Sequence, residues 1–321
     1  MRRPLLALLT AATLLITTAC GGGGSTETTA EGNAKVTVGV IPIVDVAPIY
    51  LGKEKGFFAD RKIDLTLQIG SGGAASVPGV VSGKFQFAFG NVTSLLVARD
   101  QKLPLKVVTN GVSSTGEQGK DFGAVVVKAD SPVKDAAGLA GKKVSVNNLK
   151  NIGDTTVRAS VRKAGGDPSK VEFVELPFPD MPAAVQNGRV DAAWVVEPFL
   201  TQAISQGARP VAWNFVDTAP DLTVATYFTS EKIAKTEADL VKRFTEAMNE
   251  SLAYAADHPD EVRKVLTTYT KITQPVIDKM TLPNWPAEVN RASLETLAKL
   301  AKDDGLVKTE PDLDALLGTT G

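Results

Sequence analysis

Short apolar runs alternate with helix-like stretches from about residue 35 to about residue 215 of this 321-residue chain. This alternation predicts repeated strand–helix units, because neighbouring parallel strands need a long crossover that is usually a helix. Ala47–Lys55 reads as a helix ended by Gly56, whereas Ile63–Ile69 and Gly123–Lys128 read as strands. The sequence therefore predicts an α/β fold with mostly parallel sheets.

The series of units is interrupted once and then restarts. Residues 113–121 are polar and contain glycine, a second series begins at Gly123, and a further apolar strand is predicted at residues 224–228. The segments beyond it are amphipathic helices, which suit packing on the outside of an existing sheet. We expect two similar lobes joined by two crossing strands, with lobe 1 formed by residues 35–118 and 223–321 and lobe 2 by residues 119–222.

Small and polar residues follow the predicted strands, where open parallel sheets bind their ligands. The candidate ligand-binding residues at these strand ends are Asp45, Ser71, Gly72, Asn91, Thr93, Asn147, Asn148, Phe178, Asp180 and Glu197. The glycines around Gly72 let backbone N–H groups approach an anion, while ionised carboxylates accept hydrogen bonds from an ammonium, amidine or amino-pyrimidine group. The two features together predict a ligand that has both an anionic group and a nitrogen group that donates hydrogen bonds.

Several of these residues have a second interpretation. Asp180 precedes Met181 and Pro182 and could serve as a helix N-cap, and Asp45 could cap the helix at Ala47 in the same way. The glycine run could be a turn needed only for backbone geometry. Glu197 precedes a proline, which disfavours a helical position, so for this residue we favour ligand contact. Phe178 lies in a loop and could stack on a flat ligand.

Composition argues against several classes of function. The chain has one histidine and one cysteine, so a zinc site or a Cys-His or Ser-His nucleophile is disfavoured, and neither a Walker nor a Rossmann motif is present. The 35 basic and 36 acidic residues are balanced, which gives no electrostatic reason to bind nucleic acid. We expect a monomer with no cofactor and no metal, and a binding protein rather than an enzyme.

Two motifs carry a resemblance to a known family. Residues 47–58, APIYLGKEKGFF, resemble the opening motif of the nitrate/sulfonate/taurine-type substrate-binding proteins of ABC importers, and residues 185–199, VQNGRVDAAWVVEPF, are similar to the second-lobe signature of those proteins. The resemblance implies a type II periplasmic-binding fold, closing on a small molecule that is delivered to a permease and ATPase complex. It agrees with the strand-end assignment of five residues, namely Asp45, Ser71, Asn91, Asn147 and Glu197. The family also includes pyrimidine-precursor binders related to thiamine-precursor synthases, whose histidine and cysteine-rich motif this chain lacks.

The N-terminus has the pattern of an export signal. Arg2 and Arg3 precede an uncharged run, Leu5–Ile16, which is too short to span a bilayer, and Cys20 follows. This order resembles a bacterial lipoprotein signal, which implies removal of residues 1–19, lipidation at Cys20 and a flexible linker at residues 20–34. A plain signal peptide with a free cysteine is the alternative. We expect an exported protein, anchored by lipid to the outer face of the cytoplasmic membrane.

The expected ligand follows from the three carboxylates of the candidate site. Nitrate and simple alkanesulfonates need hydrogen-bond donors, and carboxylates around the cleft would repel them. We therefore expect an aminosulfonate of the taurine type or a nitrogen heterocycle such as a pyrimidine. An alkanesulfonate or nitrate is the second choice, and an enzyme on the same fold, such as a pyrimidine-precursor synthase, is the alternative from a different class.

Overall fold

A computed structural model describes residues 26–318 of the chain. The strands in this range are β1 (Ala34–Val40), β2 (Ile63–Ile69), β3 (Phe87–Asn91), β4 (Leu105–Ser113), β5 (Gly123–Lys128), β6 (Lys143–Val146), β7 (Glu172–Glu175), β8 (Ala192–Val196), β9 (Ala208–Ala212) and β10 (Thr223–Ser230). The α-helices are α1 (Ala47–Lys55), α2 (Gly73–Val81), α3 (Val92–Asp100), α4 (Ile152–Lys163), α5 (Met181–Gln186), α6 (Phe199–Ser205), α7 (Asn214–Thr218), α8 (Glu231–Thr236), α9 (Ala238–Asp257), α10 (Pro259–Tyr269), α11 (Gln274–Ile277), α12 (Arg291–Asp303) and α13 (Leu313–Leu317).

The strands form two five-stranded sheets of the same design. The first has the order β2-β1-β3-β10-β4 and the second the order β7-β6-β8-β5-β9. In each, four strands run in the same direction, and the fourth strand in the order, β10 or β5, is antiparallel to both of its neighbours. The expected α/β fold is confirmed, and the strand predicted at residues 224–228 lies within β10 of the first sheet.

The chain passes between the two sheets at two places. Residues 114–122 lead from β4 to β5, and residues 219–222 lead from α7 to β10. The backbone N–H of Ser114 donates to the carbonyl of Leu222 over 2.9 Å, so the two passages are bonded to each other. The sequence predicted lobe boundaries at residues 118/119 and 222/223. The first lies within the first passage, and the second lies at the end of the second passage.

The described structure begins inside the segment expected to be a flexible linker. Thr26 donates from its backbone N–H to Glu237 Oε1 over 3.1 Å, and Lys35 donates to the carbonyl of Glu27 over 2.7 Å. From Thr26 onward this segment is therefore hydrogen-bonded to the first lobe. The predicted signal peptide and Cys20 lie outside the described residues. Between residues 26 and 318, none of the helices has both the length and the apolar character needed to cross a bilayer.

Aromatic stacking anchors helix α9 to the first sheet. Phe87 in β3 stacks on Phe244 in α9 with ring centroids 3.8 Å apart, and Phe58 packs against the same ring at 5.8 Å. All three side chains are buried. Burial of large aromatic surface at this point fixes the outer helical layer on the sheet.

Helices α1 and α9 approach each other closely at Gly52. A Cβ atom added at Gly52 would lie 1.9 Å from Ser251 Oγ and 2.9 Å from Ser251 Cβ. Such distances are below those of normal van der Waals contact, so only glycine fits at this crossing. The glycine of the APIYLG motif therefore has a packing role.

We expect Gly52→Ala to destabilise the protein by about 1 to 3 kcal/mol, although alanine is the better helix former, because overpacking outweighs helix propensity. The double variant Gly52→Ala/Ser251→Gly should recover part of that loss, since the clashing side chain is gone. Urea denaturation of both single variants and the double variant measures the coupling. Strictly additive effects would show that the two positions do not compete for the same space.

Candidate functional site

A small cavity lies between the two sheets, at the ends of their parallel strands. Its lining residues are Ile41, Ile43, Asp45, Gly72, Gly73, Phe89, Asn91, Asn147, Ile152, Phe178, Trp194, Val196, Val224 and Ala225. The volume open to the centres of water molecules is about 30 Å³, which is room for about two waters. The lobes therefore lie close together, and a ligand can enter only when they move apart.

Half of the sequence-predicted site residues line this cavity. They are Asp45, Gly72, Asn91, Asn147 and Phe178. Asp45 and Gly72 come from the first lobe and Phe178 from the second, so the strand ends of both lobes meet, as the βα pattern predicts. The other candidates are Ser71, Thr93, Asn148, Asp180 and Glu197, and they lie outside the lining.

Asp45 is the one acidic residue among the described lining residues of the cavity. The residue is 3 % exposed, and Oδ1 has no hydrogen-bond partner among residues 26–318. Burial raises the pKa of the Asp45 carboxyl to about 8, and the nearby negative charge of Asp121 adds to this shift. Helix α1 has Val46 at its N-cap without a side-chain cap bond in the described structure, so Asp45 does not act as the cap. The indole N–H of Trp285 donates to the Asp45 carbonyl over 3.2 Å and holds this loop in place.

The first turn of α2 faces the cavity through Gly72 and Gly73. Within residues 26–318 no side chain caps this helix, whereas Asn91 caps α3 and Asn151 caps α4. The free N–H groups at the start of a helix and the positive end of its dipole attract an acceptor or an anion. The cavity thus combines an acidic group with a potential anion-binding turn.

Contacts between the lobes surround this turn. A Cβ at Gly72 would lie 2.2 Å from Asn148 Oδ1 and 2.7 Å from Asn147 Nδ2, so glycine permits the approach of the second lobe. Asn147 Nδ2 donates to the carbonyl of Ser71 over 3.0 Å. Asn148 Oδ1 is buried without a partner in the described part of the chain, and the Ser71 residue is exposed. The bond from Asn147 to the Ser71 carbonyl therefore joins the two lobes at the edge of the cavity.

A second set of contacts joins α3 to α4 across the cleft. Asn91 Oδ1 accepts from the backbone N–H of Ser94 at 2.9 Å and from that of Ile152 at 3.2 Å. One amide oxygen therefore bonds to the N-terminal turn of α3 in the first lobe and to that of α4 in the second. Thr93 Oγ1 is buried and lies 3.3 Å from Thr155 Oγ1. Thr93 thus bonds to the opposite lobe.

The remaining two carboxylates are placed differently from the expected arrangement. Asp180 is exposed and precedes α5, yet its side chain makes no cap hydrogen bond in the described structure. Glu197 is 2 % exposed, and its carboxylate accepts hydrogen bonds from Thr201 and Thr281. Burial raises the pKa of Glu197 to about 7 against the lowering effect of the Thr201 bonds. The structure therefore brings one carboxylate into the cavity and not three.

Trp194 was not among the candidate ligand-binding residues, yet this buried side chain also lines the cavity. It lies in β8 two residues before Val196, and both side chains line the cavity. The indole Nε1 of Trp194 is buried and has no acceptor among the described residues. Side chains two residues apart along a strand point to the same face, so Trp194 and Val196 of β8 both face the cavity.

We expect Asp45→Asn to flatten the dependence of stability on pH. In the folded protein the Asp45 pKa is about 8, against a reference value of 3.8. The folded state therefore keeps a proton that the unfolded chain has lost, and the free energy of unfolding falls as the pH rises from about 4 to about 8.

The variant should be more stable than wild type at pH 8, by on the order of 1 to 3 kcal/mol, and nearly equal to it at pH 4. Urea denaturation across this range measures the difference, with Asp64→Asn, an exposed carboxylate in β2, as the matched control. If the free energy of unfolding changes with pH by the same slope in Asp45→Asn and Asp64→Asn, Asp45 does not titrate as the geometry indicates.

Comparisons with known proteins agree with this architecture. A family model described as "NMT1/THI5 like" matches residues 43–262, more than half of the chain. The formylaminopyrimidine-binding protein of Halalkalibacterium halodurans is 23% identical over 254 residues, which is 76% of this chain and 73% of that protein.

Solved structures show the same fold. The periplasmic aliphatic sulphonate binding protein SsuA from Escherichia coli superposes with a TM-score of 0.71 at 18% identity, covering 88% of this chain and 97% of that one. The desulfurization enzyme DSZB superposes with a TM-score of 0.63 at 18% identity, covering 89% and 96%. The fold therefore occurs both in a binding protein and in an enzyme. The chain belongs to the NMT1/THI5-like family and has the two-lobed α/β fold of periplasmic binding proteins.

Proposed function

We propose that this protein is the substrate-binding protein of an ABC import system and that its ligand is a small nitrogen heterocycle of the amino-pyrimidine type. The observation that supports this most is the Asp45 carboxyl, buried in the cavity with Oδ1 unpartnered among the described residues. A buried polar atom of this kind is costly unless a ligand completes its hydrogen bonds.

The raised pKa of Asp45 fits a heterocycle in particular. With a pKa of about 8, the carboxyl is mostly protonated at pH 7, so it offers one O–H donor and one acceptor oxygen. An amino group next to a ring nitrogen, as in a 4-aminopyrimidine, offers the complementary donor and acceptor. A pair of hydrogen bonds would then form without a net charge in the cavity.

The rest of the lining suits a flat, weakly charged molecule. Nine lining residues are apolar, namely Ile41, Ile43, Phe89, Ile152, Phe178, Trp194, Val196, Val224 and Ala225. None of the described lining residues is Lys, Arg or His, so no basic side chain neutralises a nitrate or an alkanesulfonate. The Phe178 and Trp194 rings have centroids 5.3 Å apart, and the Trp194 N–H adds a donor for an acceptor group on the ligand.

One observation favours an aminosulfonate as the second candidate. The first turn of α2 has no side-chain cap within residues 26–318 and faces the cavity. A sulfonate at this turn and an ammonium at an ionised Asp45 would match both ends of a taurine-like zwitterion. This candidate requires the charged form of Asp45, which distinguishes it from the heterocycle.

An enzymatic function is less well supported. In the described range no group of three or more His, Cys, Asp or Glu side chains is arranged to hold a metal ion. The cavity lining contains no serine, cysteine or histidine that could form a nucleophile pair. Capture and release of a ligand needs only the opening and closing of the lobes.

The ligand assignment can be tested with Asp45→Ala and Asp45→Asn. Calorimetric titrations would use aminopyrimidines, taurine-like aminosulfonates, nitrate and plain alkanesulfonates. For an aminopyrimidine, Asp45→Ala should weaken binding about 30-fold by removing two hydrogen bonds, while Asp45→Asn retains a donor and an acceptor and should bind within about 10-fold of wild type. For an aminosulfonate, both variants should lose affinity alike, because both lack the charge.

The matched control is Asp180→Asn, an exposed carboxylate outside the cavity, which should bind like wild type. Tight binding of nitrate or an alkanesulfonate that is insensitive to both Asp45 variants would contradict the proposal.

We also propose that the protein is exported and anchored by lipid at Cys20, as the basic and apolar residues before Ala19 and Cys20 indicate. Cys20→Ala should then shift the protein from the membrane fraction to the medium or periplasm, because one or more acyl chains no longer hold it. Immunoblotting of the fractions measures this shift. Equal membrane retention of variant and wild type would contradict the lipid anchor.

A further inference from the structure

The carboxylate of Glu197 joins the two lobes without entering the cavity. It follows β8 in the second lobe, and Glu197 Oε2 accepts from the backbone N–H of Thr201 at 3.0 Å, while Oε1 accepts from the Thr201 hydroxyl at 2.7 Å. Both of these bonds stay within the second lobe. The third bond runs from the backbone N–H of Thr281, in the first lobe, to Oε1 over 3.2 Å.

The backbone of Glu197 makes a further contact between the lobes. Val44 N donates to the carbonyl of Glu197 over 3.1 Å. Val44 follows the cavity residue Ile43, and Glu197 follows the cavity residue Val196. The bond between Val44 and Glu197 therefore lies next to the cavity, because each of the two residues directly follows a lining residue in the chain.

Glu197 differs from an ion pair that also spans the lobes. Arg162 Nη2 of α4 lies 2.5 Å from Asp304 Oδ1, and the Arg162 side chain is 42% exposed whereas that of Asp304 is 6% exposed. Water reaches the guanidinium and screens the pair. Glu197 is 2 % exposed, so water competes little for the backbone N–H groups that donate to its carboxyl group.

We infer that Glu197 is a positioning residue that latches the two lobes together through Thr281 and sets the affinity for every ligand alike, without contacting the ligand. This inference rests on the proposed binding of a small molecule between the lobes, but not on the chemical class of that molecule. The Thr201 bonds orient the carboxylate, and the Thr281 bond closes the cleft.

A latch changes affinity through the population of the closed state. If only the closed form binds tightly, the measured dissociation constant increases as the closed fraction falls. Loss of the bond to Thr281 should therefore weaken the binding of every ligand by one common factor, about 10-fold for one buried hydrogen bond. A direct ligand contact would instead change the ratios between ligands.

Three variants separate the bonds of Glu197. Glu197→Ala removes all side-chain bonds, Thr281→Pro removes only the donor in the first lobe, and Thr201→Val removes only the hydroxyl bond within the second lobe. Far-UV circular dichroism and thermal unfolding establish that each variant is folded. Glu197→Gln keeps the size of the side chain, but its single acceptor oxygen cannot serve three donors, so it replaces either of the first two variants if that variant fails to fold.

The first measurement is small-angle X-ray scattering of each ligand-free variant. Glu197→Ala and Thr281→Pro should have a larger radius of gyration than wild type, whereas Thr201→Val should match wild type. The scattering measurement needs no ligand, so it tests the role of Glu197 in closing the lobes even if the proposed ligand class is wrong. Unchanged scattering of both Glu197→Ala and Thr281→Pro would overturn the inference.

The second measurement is titration with those members of the panel of aminopyrimidines, aminosulfonates, alkanesulfonates and nitrate that bind wild type. The latch predicts the same loss for Glu197→Ala and Thr281→Pro, and the same loss for each ligand. If Glu197→Ala instead discriminates between ligands while Thr281→Pro binds normally, Glu197 is a ligand contact and the latch is wrong.

Discussion

A carboxyl group enclosed between two lobes is the constraint on which the rest of the site depends. Asp45 is 3 % exposed and has an oxygen without a partner among the described residues. Because an unpaired buried polar atom is unfavourable, the closed form is complete only when something else supplies the hydrogen bond. The structure thus has a built-in preference for a ligand that donates a hydrogen bond at this point.

The surrounding elements make that enclosure possible. The parallel strands of both sheets end at the cleft, and the starts of α2, α3 and α4 meet there. Two of these helices are capped by asparagines, and one of those asparagines, Asn91, also bonds to the opposite lobe. Polar contacts of this kind are reversible, because water can replace each hydrogen bond when the lobes separate. The same contacts therefore allow both closure and release.

Much of the fold was predictable from local signals. The bounds of α1, β2 and β5 agree with the predicted ranges, because Gly56 ends α1 in the left-handed conformation and the strands are continuous apolar or alternating runs. Helix α3 was missed, since Val92, Thr93 and Val97 are β-branched and have low helix propensity. Its stability comes from the Asn91 cap and from burial, which the local sequence does not show.

The site was predictable in outline but not in its contacts. The strand-end rule depends only on topology, and Asp45, Gly72 and Asn147 from its candidates line the cavity. Glu197 lies outside the lining. Its partner Thr281 is 84 residues away in sequence and comes from a segment without regular secondary structure. Only the folded arrangement reveals that contact.

The role of Asp45 is tested most directly by a crystal structure of the protein with the tightest-binding member of the ligand panel. We expect a ligand nitrogen within hydrogen-bond distance of Asp45 Oδ1, with the ring against Phe178 and Trp194 and the Glu197–Thr281 contact intact. A ligand bound elsewhere, or one that leaves Asp45 Oδ1 unpartnered in the closed form, would contradict this role.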